Sequence, residues 1–523
     1  MKAAPQEQPK RVSIAGLTLL ALGAIAFVLL NNLWPYSTPS RALDGSWAYV
    51  LHALAGKAHF GSELVFTYGP LGFLIAHGDT PDTYLWRLVF GGLLLLGVYW
   101  QMFLLRFRGP GAPTLTVRDA VFFLVFAPLA VTYAFCGRIL FPDGATSLML
   151  ALCMVNLVRL DATEHRTARL FIAATLATLA LVKGTLIAII APFMILMVIR
   201  RACFRRGSWD APIAALAFFL ALWLATGNHL VDLPSFLWAM KEISSGFTTG
   251  MQADGALHRQ TRMAFLALSV LLALRYADSA GPSKSDRAIV GFVFLVLGLM
   301  LTKHGTDRFD GHVFSPTFTL FALSLMSFIA ARTSRRAALL SVAAVLVSVI
   351  TLNYALKSQV PDMSAQERRL WIARGGDVIS QSREQLRLAG KLRNIQEEQK
   401  TPLTVSWQIL ARACRMSLRL QTVDIYSYKQ GAVLARKVQL PPSPPYFRVT
   451  RSPWLAKRNQ GFWHRRQRQA GFSSLLIRLI KDWRRWKTAS LGLNSSHGTA
   501  CEVDSRCWSS ASRSRTLDTP LYH

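Results

Sequence analysis

Acidic residues are scarce in this chain. Its 523 residues include 28 Asp and Glu against 59 Lys and Arg, and charged residues make up only 17% of the total. A soluble domain carries about a quarter charged residues, so few charges beside 52% hydrophobic residues exclude an ordinary water-soluble fold. The basic excess, +31 formally, is the sort of charge that nucleic-acid binders carry, but the long apolar runs argue against that partner. Cysteine is sparse too. Its six copies, at 136, 153, 203, 414, 501 and 507, form no Cys-x-x-Cys pair, which argues against a structural zinc site and against a disulfide framework. His497, Cys501 and Cys507 fit no ordinary metal-ligand spacing. Walker loops, dinucleotide Gly-x-Gly-x-x-Gly turns, Gly-x-Ser-x-Gly elbows and His-Glu-x-x-His helices are all missing, and with them the chemistries they carry.

What remains is hydrophobic sequence with a mean hydropathy of +0.30. A hydrocarbon core about 30 Å thick asks for roughly 20 apolar residues per helix. That ruler predicts spans at 12–31, 84–105, 119–135, 144–160, 170–183, 185–200, 211–227, 261–277, 288–302, 313–331 and 337–355. The expected fold class is therefore an all-α polytopic membrane protein of about eleven helices, with a small C-terminal extramembrane α/β region. The pair flanking Lys183-Gly184 reads either as a hairpin or as one broken helix.

Basic residues give the expected orientation. Lys2, Lys10 and Arg11; Arg106, Arg108 and Arg118; Arg159, Arg166 and Arg169; the cluster from Arg200; Arg275, Lys284 and Arg287; and Arg332, Arg335 and Arg336 all fall on one side of an eleven-span chain. The positive-inside rule makes that side cytoplasmic. The N-terminus is expected in the cytoplasm and the C-terminus in the periplasm, with the chain in a bacterial inner membrane. The first span is too long, and lacks the small-residue cleavage site, for a removed signal peptide.

The remaining ionisable residues gather on the other side: Asp44 and Glu63, Arg138 and Asp143, Lys183, Glu242, and the run Lys303, His304, Asp307, Arg308, Asp310 and His312. Each one alone reads as ordinary loop charge. Together they point to a polar site, because ionisable groups at membrane depth are costly. His52, His59 and His312 read as surface histidines.

Between the first two apolar runs lies LDGSWAYVLHALAGKAHFGSELVFTYGPLGFL. Leu43, Trp47, Leu51 and Leu54 repeat at helical spacing and predict a short helix on the membrane surface, with Asp44 as its N-cap. A loop follows and ends in a Gly-Pro turn, where Phe66 and Tyr68 are expected at headgroup level.

An acidic residue opening a surface helix, then an aromatic-x-Pro-Leu-Gly-aromatic turn into the second span, resembles the GT-C superfamily of membrane glycosyltransferases, above all its protein-mannosyltransferase and aminoarabinose-transferase branch. Those enzymes typically carry a pair of acids and a Tyr-x-x-Pro-Pro-Leu-Gly turn. This chain has Asp44-Gly45 and Tyr68-Gly69-Pro70-Leu71-Gly72-Phe73. The FTYGPLGFL turn is also shared with a set of uncharacterised bacterial membrane proteins. The resemblance implies transfer of a sugar from a polyprenyl-phosphate carrier to an acceptor at the periplasmic face. Asp44 is then the catalytic base. Glu63, Tyr68, Arg138, Lys183, Glu242, Lys303, His304 and Arg308 are the substrate-binding candidates, the cations serving the lipid phosphate. No metal or other cofactor is required; a divalent ion between Asp44 and Glu63 is the alternative. The expected partners are the sugar-bearing lipid and the bilayer, with no nucleic acid and an acceptor the chain does not name. The competing reading is a non-enzymatic transporter or assembly partner in envelope polysaccharide export.

Composition divides the chain into a membrane part, 1–355, a polar periplasmic part, 356–440, and a tail, 441–523, rich in Arg, Trp and Ser. Between Pro441 and Leu491 the tail has one acid, Asp482. It is open to three readings: a basic surface helix, disorder, or translation out of frame.

Overall fold

The computed structural model describes residues 14–31, 51–52, 55–76, 81–108, 116, 120–121, 123–126, 130–131, 142–160, 165–205, 207–251, 255, 257–280, 283–307, 309, 311–330 and 334–373. All of them lie in one compact unit. Asp44, Arg138 and Arg308, most of the expected surface helix before the first turn, and the regions beyond residue 373 lie outside them.

The described residues are mostly helical and form no strand; Phe60 and Leu64 make an isolated bridge. The helices are α1 (Ile14–Asn31), α2 (Pro81–Phe107), α3 (Pro142–Leu160), α4 (Arg166–Val182), α5 (Ile187–Phe204), α6 (Asp210–Ala225), α7 (Leu233–Met251), α8 (His258–Ser279), α9 (Lys284–Asp307), α10 (Phe314–Met326), α11 (Arg335–Gln359) and α12 (Ala365–Ala373). Lipid supplies no hydrogen bonds, so a spanning backbone has to satisfy itself, and a helix does that within one segment. Among the described residues four stretches are long and apolar enough to cross a membrane: Leu85–Phe107, Gly184–Phe204, Lys284–Asp307 and Arg335–Gln359. The bent pair α6 and α7 would make a fifth, and α3 and the 13-residue α10 are shorter apolar helices. The protein is thus a helical membrane protein.

Its surface fits lipid. Leu93, Leu299 and Leu346 are each more than half exposed along these spans. Several inward-facing polar side chains are hydrogen-bonded between or within helices. Thr302, Thr306 and Thr317 donate to carbonyls one turn back at 2.7 Å. Ser324 and Ser348 join α10 to α11 at 2.8 Å. Asn156 of α3 donates to the Gln101 carbonyl of α2 at 2.7 Å.

One end of the bundle is built on buried arginine. A helix leaves its last four carbonyls without partners, and its C-terminus attracts cations. Arg159, at the end of α3, donates to the carbonyls of Ser279 at 3.2 Å and Arg108 at 3.0 Å, joining the ends of α2, α3 and α8. Arg275 of α8 donates to the carbonyls of Ser327 and Ala330, just past α10, and to Ser341 of α11. Arg169 opens α4 and pairs with Asp210, which opens α6, at 2.7 Å. Arg200, near the C-terminal end of α5, pairs with Asp286 in the first turn of α9 at 2.8 Å. Arginines that sequence assigns to loop charge are therefore interior staples, at 8% side-chain exposure for Arg169 and 1% for Arg200.

These staples also fix direction. The Arg169–Asp210 pair brings the start of α6, shortly after α5 ends, back beside the start of α4. Chain that leaves with α4 therefore returns with α5, so the two form a hairpin with Lys183 at the far tip, not one broken helix.

Two other helix ends are closed by residues next to them in the chain. α6 stops at Thr226, whose hydroxyl donates back to Trp223 at 2.8 Å, and Gly227 turns the chain at φ +79°. Ahead of α12, Ser364 and Glu367 form a reciprocal capping box: the Ser364 amide donates to the Glu367 carboxylate at 2.7 Å and the Glu367 amide to the Ser364 hydroxyl at 3.2 Å.

Candidate functional site

The far tip of the α4–α5 hairpin, opposite the arginines, is where the Tyr-Gly-Pro turn docks. When α4 ends at Val182 its final carbonyls need donors. The turn supplies them. Leu71 N–H donates to the Leu181 carbonyl at 3.0 Å, and Gly69 N–H to that of Val182 at 3.3 Å. Thr185 N–H answers toward the Thr67 carbonyl at 3.4 Å. Pro70 has no N–H to offer, so the donors are the residues on either side of it. The turn lies so close that a Cβ on Gly69 would overlap the Leu181 carbonyl.

Lys183 occupies the break itself. Its backbone is extended (φ −127°, ψ 97°), which ends α4, and its side chain is half-buried. A 3₁₀ turn, Gly184–Leu186, then restarts the chain into α5. Leu74, Ile75 and Val182 pack beneath the junction with Tyr68, Leu71, Phe73 and Phe90 against them. Tyr68 stacks on Phe66, ring centroids 5.5 Å apart. Phe90 also lines an apolar crevice of about 660 Å³ among α1, α2 and α4, which reaches Thr178 and Leu179 just before the break.

The segment ahead of the turn is pinned to α6 and α7. Phe60 N–H donates to the side-chain oxygen of Asn228 at 2.7 Å. The His59 ring stacks on His229 at 4.5 Å, with its Nδ1 3.9 Å from the Asp232 carboxylate. Gly61 runs against backbone, its absent Cβ position 2.6 Å from the Phe236 amide nitrogen. Glu63 turns back on its own loop, its carboxylate accepting from His59 N–H at 2.9 Å. His52 is buried, against the surface position expected of it: Nε2 donates to the Ala76 carbonyl at 2.8 Å while Nδ1 meets the Thr83 hydroxyl at 2.6 Å.

Glu242 lies in α7, where sequence suggests a loop, half-buried and two residues beyond Met240, which packs on Gly184. Phe236 and Met240 thus tie α7 to the break. The structure therefore gathers Glu63, Tyr68, Lys183 and Glu242 on three neighbouring pieces of chain. Lys303 and His304 belong to another group, at the end of α9. Lys303 is exposed, and His304 faces His312 with ring centroids 6.3 Å apart. Nearby, His258 Nε2 donates to the Thr306 carbonyl at 3.0 Å, and Gln359 donates to that of Phe309.

Sequence reasoning misses Asn228, His229 and Asp232. Their signal was present: Gly-Asn-His directly after an apolar run marks a helix stop. No group of three or more His, Cys, Asp or Glu among the described residues is arranged to hold a metal. Comparison of the chain with protein-family models, curated proteins and solved structures finds no match.

Proposed function

We propose that the protein is a GT-C-like membrane glycosyltransferase, moving a sugar from a polyprenyl-phosphate carrier to an acceptor hydroxyl at the face opposite the arginines, the periplasmic face of a bacterial inner membrane. One observation carries this reading. The turn that resembles the family's is seated on the helix break that holds Lys183, and an apolar crevice reaches Leu179, one helical turn before that break. A lipid-linked phosphate asks for that pairing: a cation near the membrane surface and an apolar path for the chain behind it.

The chemistry assigns the roles. The acceptor oxygen forms a bond to the anomeric carbon as the bond from that carbon to the phosphate oxygen breaks. Asp44 takes the acceptor's proton, as a general base. Negative charge grows on the departing phosphate, and cations placed beforehand stabilise it. Lys183 is the first of these, with Arg138, Lys303, His304 and Arg308 as further candidates. Tyr68 and Glu242 flank the break and suit contacts to the sugar or acceptor. Glu63 serves its loop, since its carboxylate already accepts from His59.

The test is transfer in membranes from polyprenyl-phosphate carrying radiolabelled mannose or aminoarabinose. Wild type is expected to transfer label and Asp44→Asn, which keeps shape but removes the base, to lose it. Equal transfer by both removes Asp44 from the mechanism.

A further inference from the structure

α6 starts at the arginine face and ends at Ala225, and α7 then departs in a direction changed by 111°. If α6 stands across a bilayer, a turn of that size lays α7 along the membrane surface. The two sides of α7 differ accordingly. Phe236, Ala239, Met240 and Ile243 recur every three or four residues and are buried. The other edge is apolar and uncovered: Leu237 and Trp238 are 40% and 46% exposed, and Leu230 and Val231, in the turn before the helix, 54% and 80%.

This edge is no isolated patch. Leu216 and Leu224 of α6 are 61% and 50% exposed, so the apolar wall of the bundle continues round the corner onto α7. At its rim the Lys241 ammonium lies 4.3 Å from the centre of the Trp238 ring. Tryptophan with a lysine reaching over it suits the boundary between acyl chains and headgroups. The ring has an apolar body, and the lysine keeps its charge in water while its stem covers apolar surface.

We infer that α7 is a membrane-surface helix whose Leu230, Val231, Leu237 and Trp238 edge is seated in the headgroup–acyl boundary of the leaflet opposite the arginines, with the lipid itself as its partner. The inference does not rest on sugar transfer. It gives the bilayer a hold on the site, because the buried side of the same helix packs on Gly61 and Gly184.

Collision accessibility of nitroxide labels tests this. The full-length chain, its native cysteines replaced by serine, is labelled singly at Val231→Cys or Leu237→Cys in vesicles of phosphatidylethanolamine and phosphatidylglycerol. Leu299→Cys, midway along α9, and Glu367→Cys, in α12, are the references. Labels at 231 and 237 are expected to collide more with oxygen than with a water-soluble nickel chelate, at a depth shallower than the label at 299. The label at 367 should show the reverse preference. A profile at 231 and 237 like that at 367 overturns the inference. So does shielding from both reagents, which would mean that protein covers the edge. Val231 has few neighbours to disturb, so its label stands as the measurement should Leu237→Cys fail to fold.

Discussion

The amide of Leu71 donates to the carbonyl of Leu181 at 3.0 Å, joining the first polar loop to the tip of a helical hairpin far along the chain. With the Gly69–Val182 bond beside it, it converts a helix end in need of donors into a seat for the Tyr-Gly-Pro turn. Lys183 follows directly, so whatever holds the turn also sets where that ammonium begins.

Gly69→Ala is expected to weaken this seat. The added methyl overlaps the Leu181 carbonyl, and forced overpacking costs about 1–3 kcal/mol. Gly291→Ala is the control: a Cβ there meets Ala277 at an ordinary 3.6 Å, and replacing glycine inside α9 should be neutral or stabilising by up to about 1 kcal/mol. Thermal unfolding in detergent compares the two. Equal midpoints would show that the turn does not press on the helix end.

Asn228→Ala removes the acceptor for Phe60 N–H, a buried donor, and should cost about 1–3 kcal/mol. Hydrogen exchange localises the effect: the Phe60 and Gly61 amides should lose protection while α9 keeps its own. Loss spread evenly over the chain would contradict a local anchor.

At the other end of the bundle, removing one member of the Arg200–Asp286 pair leaves the other buried and uncompensated. Arg200→Met and Asp286→Asn are each expected to destabilise by about 3–5 kcal/mol, and the double variant by less than their sum. Additive losses would show that the two side chains act independently.

Glu367 gives a prediction in pH. The hydroxyl and then the amide of Ser364 hold its carboxyl below its ordinary value of 4.5. The native form thus favours the ionised acid. This contribution is present in full above the unfolded value and is lost as pH falls through the lower, folded one. Carbon-13 NMR of the Glu367 carboxyl should show a midpoint below 4.5, and Ser364→Ala should raise it. An unchanged midpoint in that variant would remove the capping box as the cause.

Much of the bundle can be read from hydropathy, because spans such as α2, α9 and α11 are long, apolar and bounded by charge. The common side of the arginines is legible as well. That Arg159, Arg169, Arg200 and Arg275 are interior is not, since it depends on which helix ends come together. α7 escapes the same ruler: its apolar stretch, Leu230 to Ile243, is too short to span, and the polar residues after it read as loop. His52 sits in a polar-looking segment, and its burial arises from Ala76 and Thr83, partners that a local pattern does not reveal. Within the site, the turn and Lys183 are each visible in sequence as breaks in apolar periodicity, but their meeting is a tertiary fact.

In the proposed reaction Lys183, held by the turn-capped hairpin, grips a lipid-linked phosphate. Binding of tritiated polyprenyl phosphate to the purified chain, with tritiated polyprenol of equal length for comparison, tests it most directly. The phosphate form should bind more tightly than the alcohol. Lys183→Met should abolish that advantage, weakening the phosphate form roughly ten- to a hundredfold, as expected for a lost charge-assisted hydrogen bond worth about 1.5–3 kcal/mol. Binding by Lys183→Met equal to wild type, or no preference for the phosphate in wild type, would contradict the claim.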